Sequence, residues 1–202
     1  MAVGTQHPTT SPPDEPSPPR LSVEAYHRLV RDGALNEDDR VELLDGLLVA
    51  KRPTNPSHRI ATRKARVALE RILPAGWYAD EQKSITLTAS EPEPDVAVVR
   101  GDTSDYQDRH PGPRDVGLVV EVSDTTLAQD QGFKKRLYAA AGIPCYWVVN
   151  IPARRLEVYA DPTGPSDAPG YHHRSEFGAD DTVVLVLDGQ LVRHIRVSDL
   201  LP

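Results

Sequence analysis

The sequence predicts an α/β fold in which a mixed central sheet is flanked by helices. Segments with helical periodicity alternate with short apolar segments typical of buried strands. The strand–helix–strand unit over 118–150 has the length of a crossover, which joins parallel neighbours, preferentially with a right-handed connection. Asp45-Gly46 and Asp188-Gly189 instead supply the tight turns of antiparallel hairpins. Parallel and antiparallel pairs together require a mixed sheet.

Composition narrows the class of protein. The chain has 202 residues, 39% hydrophobic and 26% charged, which fits one globular domain with a sizeable core. A net charge of −7 disfavours a protein that coats nucleic acid nonspecifically, but it is compatible with an acidic site that binds a divalent cation. The single cysteine, Cys145, excludes an internal disulfide and fits a reducing compartment. With no apolar segment near the roughly 20 residues of a membrane span and no export signal, we expect a cytoplasmic protein that does not enter a membrane.

The first half of the chain contains a tail and three predicted elements. Residues 1–20 hold six prolines and little to bury, so we expect a disordered Pro-rich tail before a folded domain over 21–202. Ser22 caps a helix to about Arg31, and 41–49 forms the first hairpin. Asn55-Pro56 starts a helix to about Leu73, with a basic face for which a solvated surface is favoured over phosphate contacts.

The second half is richer in strands. Segment 77–88 and the segment after Pro94 are predicted strands, followed by a polar loop over 100–116. The crossover unit comprises a strand over 118–122, a helix over 127–141 and a strand over 146–150. Gly142 and Pro144 end its helix. Further strands are predicted over 156–159 and 172–176, and a final hairpin pairs 182–187 with 191–195.

Three acids occupy positions where acids are unexpected. Glu42, Asp95 and Glu121 each lie within or against an apolar strand, and a buried carboxylate is costly unless it is paired or bound to a metal. Adjacent strands lie about 4.8 Å apart, so such carboxylates can reach one hard cation such as Mg²⁺. Lys134, on the helix after Glu121, would stand beside a metal-bound water. Acids, an amine and a divalent ion are suited to phosphodiester hydrolysis.

Each member of this set has an alternative explanation. Asp130 and Lys134, four residues apart, would form a favourable surface ion pair on a helix. Glu42 could pair with an arginine across its hairpin, and Asp95 could be a turn residue after Pro94. His58 could contact a phosphate from the start of its helix or be an ordinary polar residue. Glu121 is the hardest to explain without a site, because it is surrounded by apolar strand residues.

These residues carry a resemblance to a known family. Pro94-Asp95 with Glu121-Val122-Ser123 resembles the PD-(D/E)XK restriction-endonuclease-like superfamily, a short and weak motif by itself. Within it, residues 21–202 resemble the Uma2 family. The shared features form an ordered set over more than a hundred residues: 42–46, His58, 91–100, 120–127, Asp130, Lys134, Tyr138 and 142–150.

The resemblance implies a restriction-endonuclease-like fold and a metal-dependent endonuclease that acts on DNA. Asp95 and Glu121 would hold Mg²⁺ or Mn²⁺ with help from the Val122 carbonyl, and Glu42 would be an outer or second-metal acid. The superfamily's usual lysine position is Ser123 here, and Lys134 supplies the amine in the Uma2-like pattern. A lysine with an ordinary pKa near 10.4 is a poor base at pH 7, so Lys134 is assigned to positioning water and stabilising negative charge.

Two further expectations come with the resemblance. Restriction enzymes of the superfamily often act as dimers, which makes a homodimer the expected assembly by analogy. The competing function is a catalytically silent nuclease-fold module that serves in binding or regulation, which the net charge of −7 favours.

Overall fold

The structure, a computed structural model, describes residues 19–202, so the predicted tail lies outside the described residues except for its last two positions. The helices are α1 (Val23–Arg31), α2 (Pro56–Glu70), α3 (Leu127–Gln129) and α4 (Lys135–Ala140), with a π-helical turn (Asp130–Lys134) between the last two. The strands are β1 (Val41–Leu44), β2 (Leu47–Ala50), β3 (Trp77–Glu81), β4 (Val96–Arg100), β5 (Val116–Ser123), β6 (Cys145–Asn150), β7 (Arg155–Pro162), β8 (Tyr171–Gly178), β9 (Thr182–Leu187) and β10 (Gln190–Arg196).

The central sheet has six strands in the order β3-β4-β5-β6-β7-β8. Only β5 and β6 pair in parallel, through the crossover helix, and every other neighbouring pair is antiparallel. The remaining strands form the two hairpins β1–β2 and β9–β10. The predicted mixed α/β fold is therefore confirmed.

Strand β5 lies inside the sheet, and all eight of its residues are buried. On one face, Val120 and Val122 join a core that includes α2 and the β9–β10 hairpin. On the other face, Val119 joins a core with Tyr138 of α4 and Tyr146 of β6. Side chains alternate along a strand, so Glu121 faces the second core, beneath the helix that follows β5. An acid at this position is largely shielded from bulk water, and only 3% of Glu121 is exposed.

The β1–β2 hairpin is attached to the segment that precedes β4. Leu43 bridges to Glu91, and the Gly46 N–H donates to the Ala89 carbonyl at 2.8 Å. Gly46 adopts φ +77°, and a Cβ there would lie 2.8 Å from the Cβ of Arg20. The turn therefore requires glycine, and the docked hairpin presents Glu42 toward the central sheet.

Two predicted elements differ in detail from the structure. The strand expected over 77–88 ends at Glu81, although Ile85 and Leu87 beyond it are still buried. The single helix expected over 127–141 is interrupted by the π-helical turn, where the Lys135 N–H donates to the Asp130 carbonyl five residues earlier. The predicted capping residues Ser22 and Asn55 both accept a backbone hydrogen bond at the start of their helices. Within residues 19–202, no helix has the length and apolar character needed to cross a membrane.

Candidate active site

Glu121 and Lys134 form a buried ion pair at the centre of the fold. The Lys134 ammonium donates to Glu121 Oε1 at 2.9 Å, and the Tyr138 hydroxyl donates to the same oxygen at 2.7 Å. Only 3% of Glu121 and 8% of Lys134 is exposed. The strand supplies the acid and the helix after it supplies the amine, one helical turn before the tyrosine. The structure therefore brings these two predicted site residues into direct contact.

Burial and neighbouring charges shift the pKa values of this pair. Burial raises the pKa of Glu121 to about 8, against the opposing effect of the Lys134 ammonium, and the charges of Asp130 and Asp95 add to the rise. For Lys134, burial favours a lower pKa, but the charges of Glu121, Glu42 and Asp130 outweigh it and raise the pKa above its usual value. Lys134 therefore stays charged at neutral pH and can act as a hydrogen-bond donor rather than as a base.

Asp95 stands beside Glu121 at the entry of the neighbouring strand. Strand β4 pairs with β5 with Val96 opposite Val120, so extending the register by one residue sets Asp95 next to Glu121. Asp95 Oδ2 accepts a hydrogen bond of 2.8 Å from the Val122 N–H. The N–H and C=O of one strand residue point to the same side, so the Val122 carbonyl also faces this edge. Asp95 is therefore in direct contact with Val122, and the strand register places Glu121 next to it.

Glu42 reaches the same region from the β1–β2 hairpin. It is buried, and its Oε2 accepts a hydrogen bond of 3.2 Å from the Glu93 N–H. No arginine pairs with Glu42 among residues 19–202, so the cross-hairpin ion pair considered above is wrong. Its charge is one of those that raise the pKa of Lys134, which places it within electrostatic range of the buried pair.

The hydrogen bonds leave oxygens available for a cation. The described contacts engage one oxygen each of Glu42, Asp95 and Glu121, and no hydrogen bond from residues 19–202 reaches the other oxygen of each. Glu157, a buried acid of β7, is a useful contrast, because both of its oxygens accept hydrogen bonds from side chains. Half-engaged carboxylates fit a cation-binding role, whereas a fully engaged one fits a structural role.

The donor set limits which kind of ion could be held. Across residues 19–202, no three His, Cys, Asp or Glu side chains are placed to hold one metal ion together. Two carboxylates with a backbone carbonyl and water remain, and Mg²⁺ commonly binds with one or two carboxylates and several waters. Glu42, Asp95 and Glu121 are therefore not placed to share one ion, and the ligands that could hold one in the described part of the chain are limited to Asp95 and Glu121 with the Val122 carbonyl.

Comparison with known proteins identifies the family and the fold. A family model described as "Uma2: Putative restriction endonuclease" matches residues 23–190. The chain belongs to the Uma2 family. No curated protein matches it. Among solved structures, it is similar to a "putative nuclease belonging to DUF820" from Anabaena variabilis ATCC 29413, with a TM-score of 0.65 and 13% identity over 89% of this chain and 97% of that one. At that identity the likeness shows a shared fold.

The Uma2 chain uses its π-helical turn to bury both Asp130 and Lys134. Asp130 Oδ2 accepts hydrogen bonds of 2.6 Å from the hydroxyls of Ser123 and Thr126, and it forms no ion pair with Lys134. The surface ion pair considered for Asp130 and Lys134 is therefore wrong. Ser123, at the position where the superfamily usually has lysine, instead anchors the helix that carries Lys134. π-Helical turns recur at functional sites, which suits this location.

His58 lies at the candidate site, although the sequence left open whether it is a phosphate contact or an ordinary polar residue. Its Nε2 lies 3.1 Å from Asp95 Oδ2, and its Nδ1 lies 3.4 Å from the Thr62 hydroxyl, so it is attached to the site rather than free on the helix. Burial favours a lower pKa for His58, but the hydrogen bond and charge of Asp95 outweigh it and raise the pKa. The signals in the sequence were its position at the start of a helix that follows an asparagine cap and its place among the features that resemble the Uma2 family.

Proposed function

We propose that this Uma2 protein is a metal-dependent endonuclease that hydrolyses phosphodiester bonds in DNA. The observation that carries the proposal is the buried Glu121–Lys134 pair beside Asp95, in which both carboxylates keep an oxygen free of hydrogen bonds from residues 19–202. A buried amine held against an acid that also has a free oxygen is costly as pure structure. The same arrangement suits a site in which the free carboxylate oxygens bind a cation and the amine binds a phosphate.

The roles of the residues follow from their positions. Asp95 and Glu121 would hold Mg²⁺ or Mn²⁺ with the Val122 carbonyl, and a bound ion of this kind supplies a Lewis acid and a water of lowered pKa. Lys134 would donate hydrogen bonds to the attacking water or to the phosphoryl oxygens and stabilise the negative charge that develops there. Tyr138 holds Glu121 in place through its hydroxyl, and Glu42 adds negative charge around the amine.

The competing proposal is a silent nuclease-fold module that binds or regulates without cleavage. The net charge of −7 is the observation that favours it, because acidic proteins bind nucleic acid weakly overall. The intact acid–acid–lysine set favours the enzyme.

The two proposals are separated by cleavage assays with supercoiled plasmid and single-stranded DNA, with Mg²⁺, Mn²⁺ or EDTA. An endonuclease nicks or linearises the plasmid only with metal, and Asp95→Asn and Glu121→Gln each abolish this activity. Glu24→Gln is the matched control, since Glu24 is an exposed acid of α1. Cleavage that continues undiminished in both site variants would overturn the proposed site, and metal-independent DNA binding without cleavage would favour the silent module.

The remaining parts of the proposal concern assembly and compartment. A homodimer would bring two such sites to the two strands of a duplex, and light scattering on the purified protein measures its mass directly. Cys145 is a free, buried thiol, and burial raises its pKa to about 12, so it is unreactive. An unpaired cysteine is consistent with action in the cytoplasm.

A further inference from the structure

An open groove of about 630 Å³ runs along helix α2, and its walls adjoin the candidate site. Thr62 lines the groove and contacts His58, which in turn contacts Asp95. Gln82 also lines the groove, and its N–H donates to the main-chain carbonyl of Asp95 at 3.2 Å. The groove therefore comes within one side chain, His58, of the Asp95 carboxylate that the proposed reaction uses.

The basic residues in and around the groove differ in whether they have ion-pair or hydrogen-bond partners. Lys64 donates to the Leu201 carbonyl, and Arg66, elsewhere on α2, pairs with Glu81 and Glu70. Arg59 and Arg63 are exposed, and neither forms an ion pair or a side-chain hydrogen bond with any residue in 19–202. They lie four residues apart, so their guanidinium groups extend from the same side of the helix. Two free arginines in a groove are a local anion-binding surface on an acidic protein.

The apolar pattern of α2 supports the same surface. Ile60, which lies between the two arginines in sequence, lines the groove and is 51% exposed. An isoleucine exposed next to free arginines can contact the sugars or bases of a strand whose phosphates the arginines bind.

We infer that this groove binds the phosphodiester backbone of the DNA and guides it to Asp95, with Arg59 and Arg63 each contacting a phosphate. The inference rests on the proposed function for the identity of the ligand, and it assigns the surface that positions the substrate. Arginine binds phosphate through a planar, multiply hydrogen-bonding group, and backbone contacts of this kind position DNA without selecting its sequence. The groove thus offsets the net negative charge of the protein where the substrate enters.

The test measures binding without cleavage. Fluorescence anisotropy in EDTA, where the proposed hydrolysis cannot run, gives the affinity for labelled duplex and single-stranded DNA between 50 and 200 mM KCl. Each lost phosphate contact reduces the slope of log K against log salt by about 0.9 for duplex DNA, so Arg59→Gln with Arg63→Gln reduces it by about 2. The weakening is similar for unrelated sequences.

The matched control is Arg31→Gln with Arg193→Gln, which removes the same charge from exposed positions of α1 and β10. We expect the control variant to keep the wild-type slope, apart from the small change that the loss of two positive charges causes anywhere on the protein. An equal slope in both double variants, or no binding by the wild-type protein at 50 mM KCl, overturns the groove. Arginine-dependent binding without any metal-dependent cleavage retains the groove and instead refutes the proposed catalysis. Thermal melting of each variant verifies that the fold is intact.

Discussion

The Lys134 ammonium lies 2.9 Å from the Glu121 carboxylate across a separation of thirteen residues, and both side chains are buried. Burying one member alone would leave a charge without a partner, which is strongly destabilising. The two positions are therefore coupled energetically as well as by their proposed roles. This coupling can be measured apart from any cleavage activity.

Lys134→Met is expected to destabilise the protein, and adding Glu121→Gln is expected to restore much of the loss. Removing one partner of a buried pair costs about 3–5 kcal/mol, whereas replacing both removes the uncompensated charge. At neutral pH the cost is limited, because burial raises the pKa of Glu121 to about 8 and so favours its protonated, uncharged form. Urea denaturation of the wild type, both single variants and the double variant measures the coupling energy.

Lys135→Met is the control for that experiment, because Lys135 lies over the Tyr159 ring and does not contact Glu121. It is expected to change the free energy of unfolding by less than about 1 kcal/mol. Strictly additive effects of Lys134→Met and Glu121→Gln would contradict a coupled pair.

The stability of the protein relative to Glu121→Gln is expected to fall as the pH rises from about 4.5 to about 8. The pKa of Glu121 is raised from 4.5 to about 8, so within this window the folded state holds more protons than the unfolded state. Stability then decreases with pH, and the loss is complete near pH 8. Lys134 stays charged throughout, because its pKa is raised from an already higher value.

Measurements of unfolding free energy at pH 4 to 9 for both proteins test this window. Because a metal ion needs the ionised carboxylate, Mg²⁺ binding should release a proton and strengthen as the pH approaches 8. Calorimetry in buffers of different ionisation enthalpy detects that proton. If the difference in unfolding free energy between the two proteins does not vary with pH, the pKa of Glu121 is not raised.

The pKa of His58 is expected to fall in the Asp95→Asn variant. The hydrogen bond and charge of Asp95 raise this pKa above its usual value, whereas burial lowers it. The pKa therefore falls when the charge of Asp95 is removed. NMR titration of the imidazole signals measures the change. His172, exposed on β8, is the internal reference.

The same titration tests metal binding without an activity assay. If Asp95 takes up Mg²⁺, the ion competes with the His58 imidazolium for the carboxylate, so the pKa of His58 falls when Mg²⁺ is added to the wild type. In Asp95→Asn, added Mg²⁺ should leave the pKa unchanged. An identical response to Mg²⁺ in both proteins would indicate that the ion does not bind at Asp95.

Local features of the fold were predictable because neighbouring residues in the chain determine them. The cap at Asn55 and the turn at Asp45-Gly46 depend on one or two side chains and on the conformational freedom of glycine. The acids within apolar strands were likewise visible in the sequence. Burial of a charge is costly wherever the strand lies, so Glu121 was a candidate before its partners were known.

The sequence by itself therefore determined the mixed α/β fold, the order of its elements and the likeness of Asp95, Glu121 and Lys134 to a nuclease site. Only the tertiary structure decided the contacts: that Asp130 bonds to Ser123 rather than to Lys134, that His58 lies on Asp95, and that Ile60 faces a groove. The periodicity of the sequence also did not predict the π-helical turn. One extra residue in the turn rotates the following side chains around the helix axis, while the residue types along the chain stay the same. Such contacts join residues that are distant in the chain or shifted in helical phase, and they are settled only when the sheet and helices pack together.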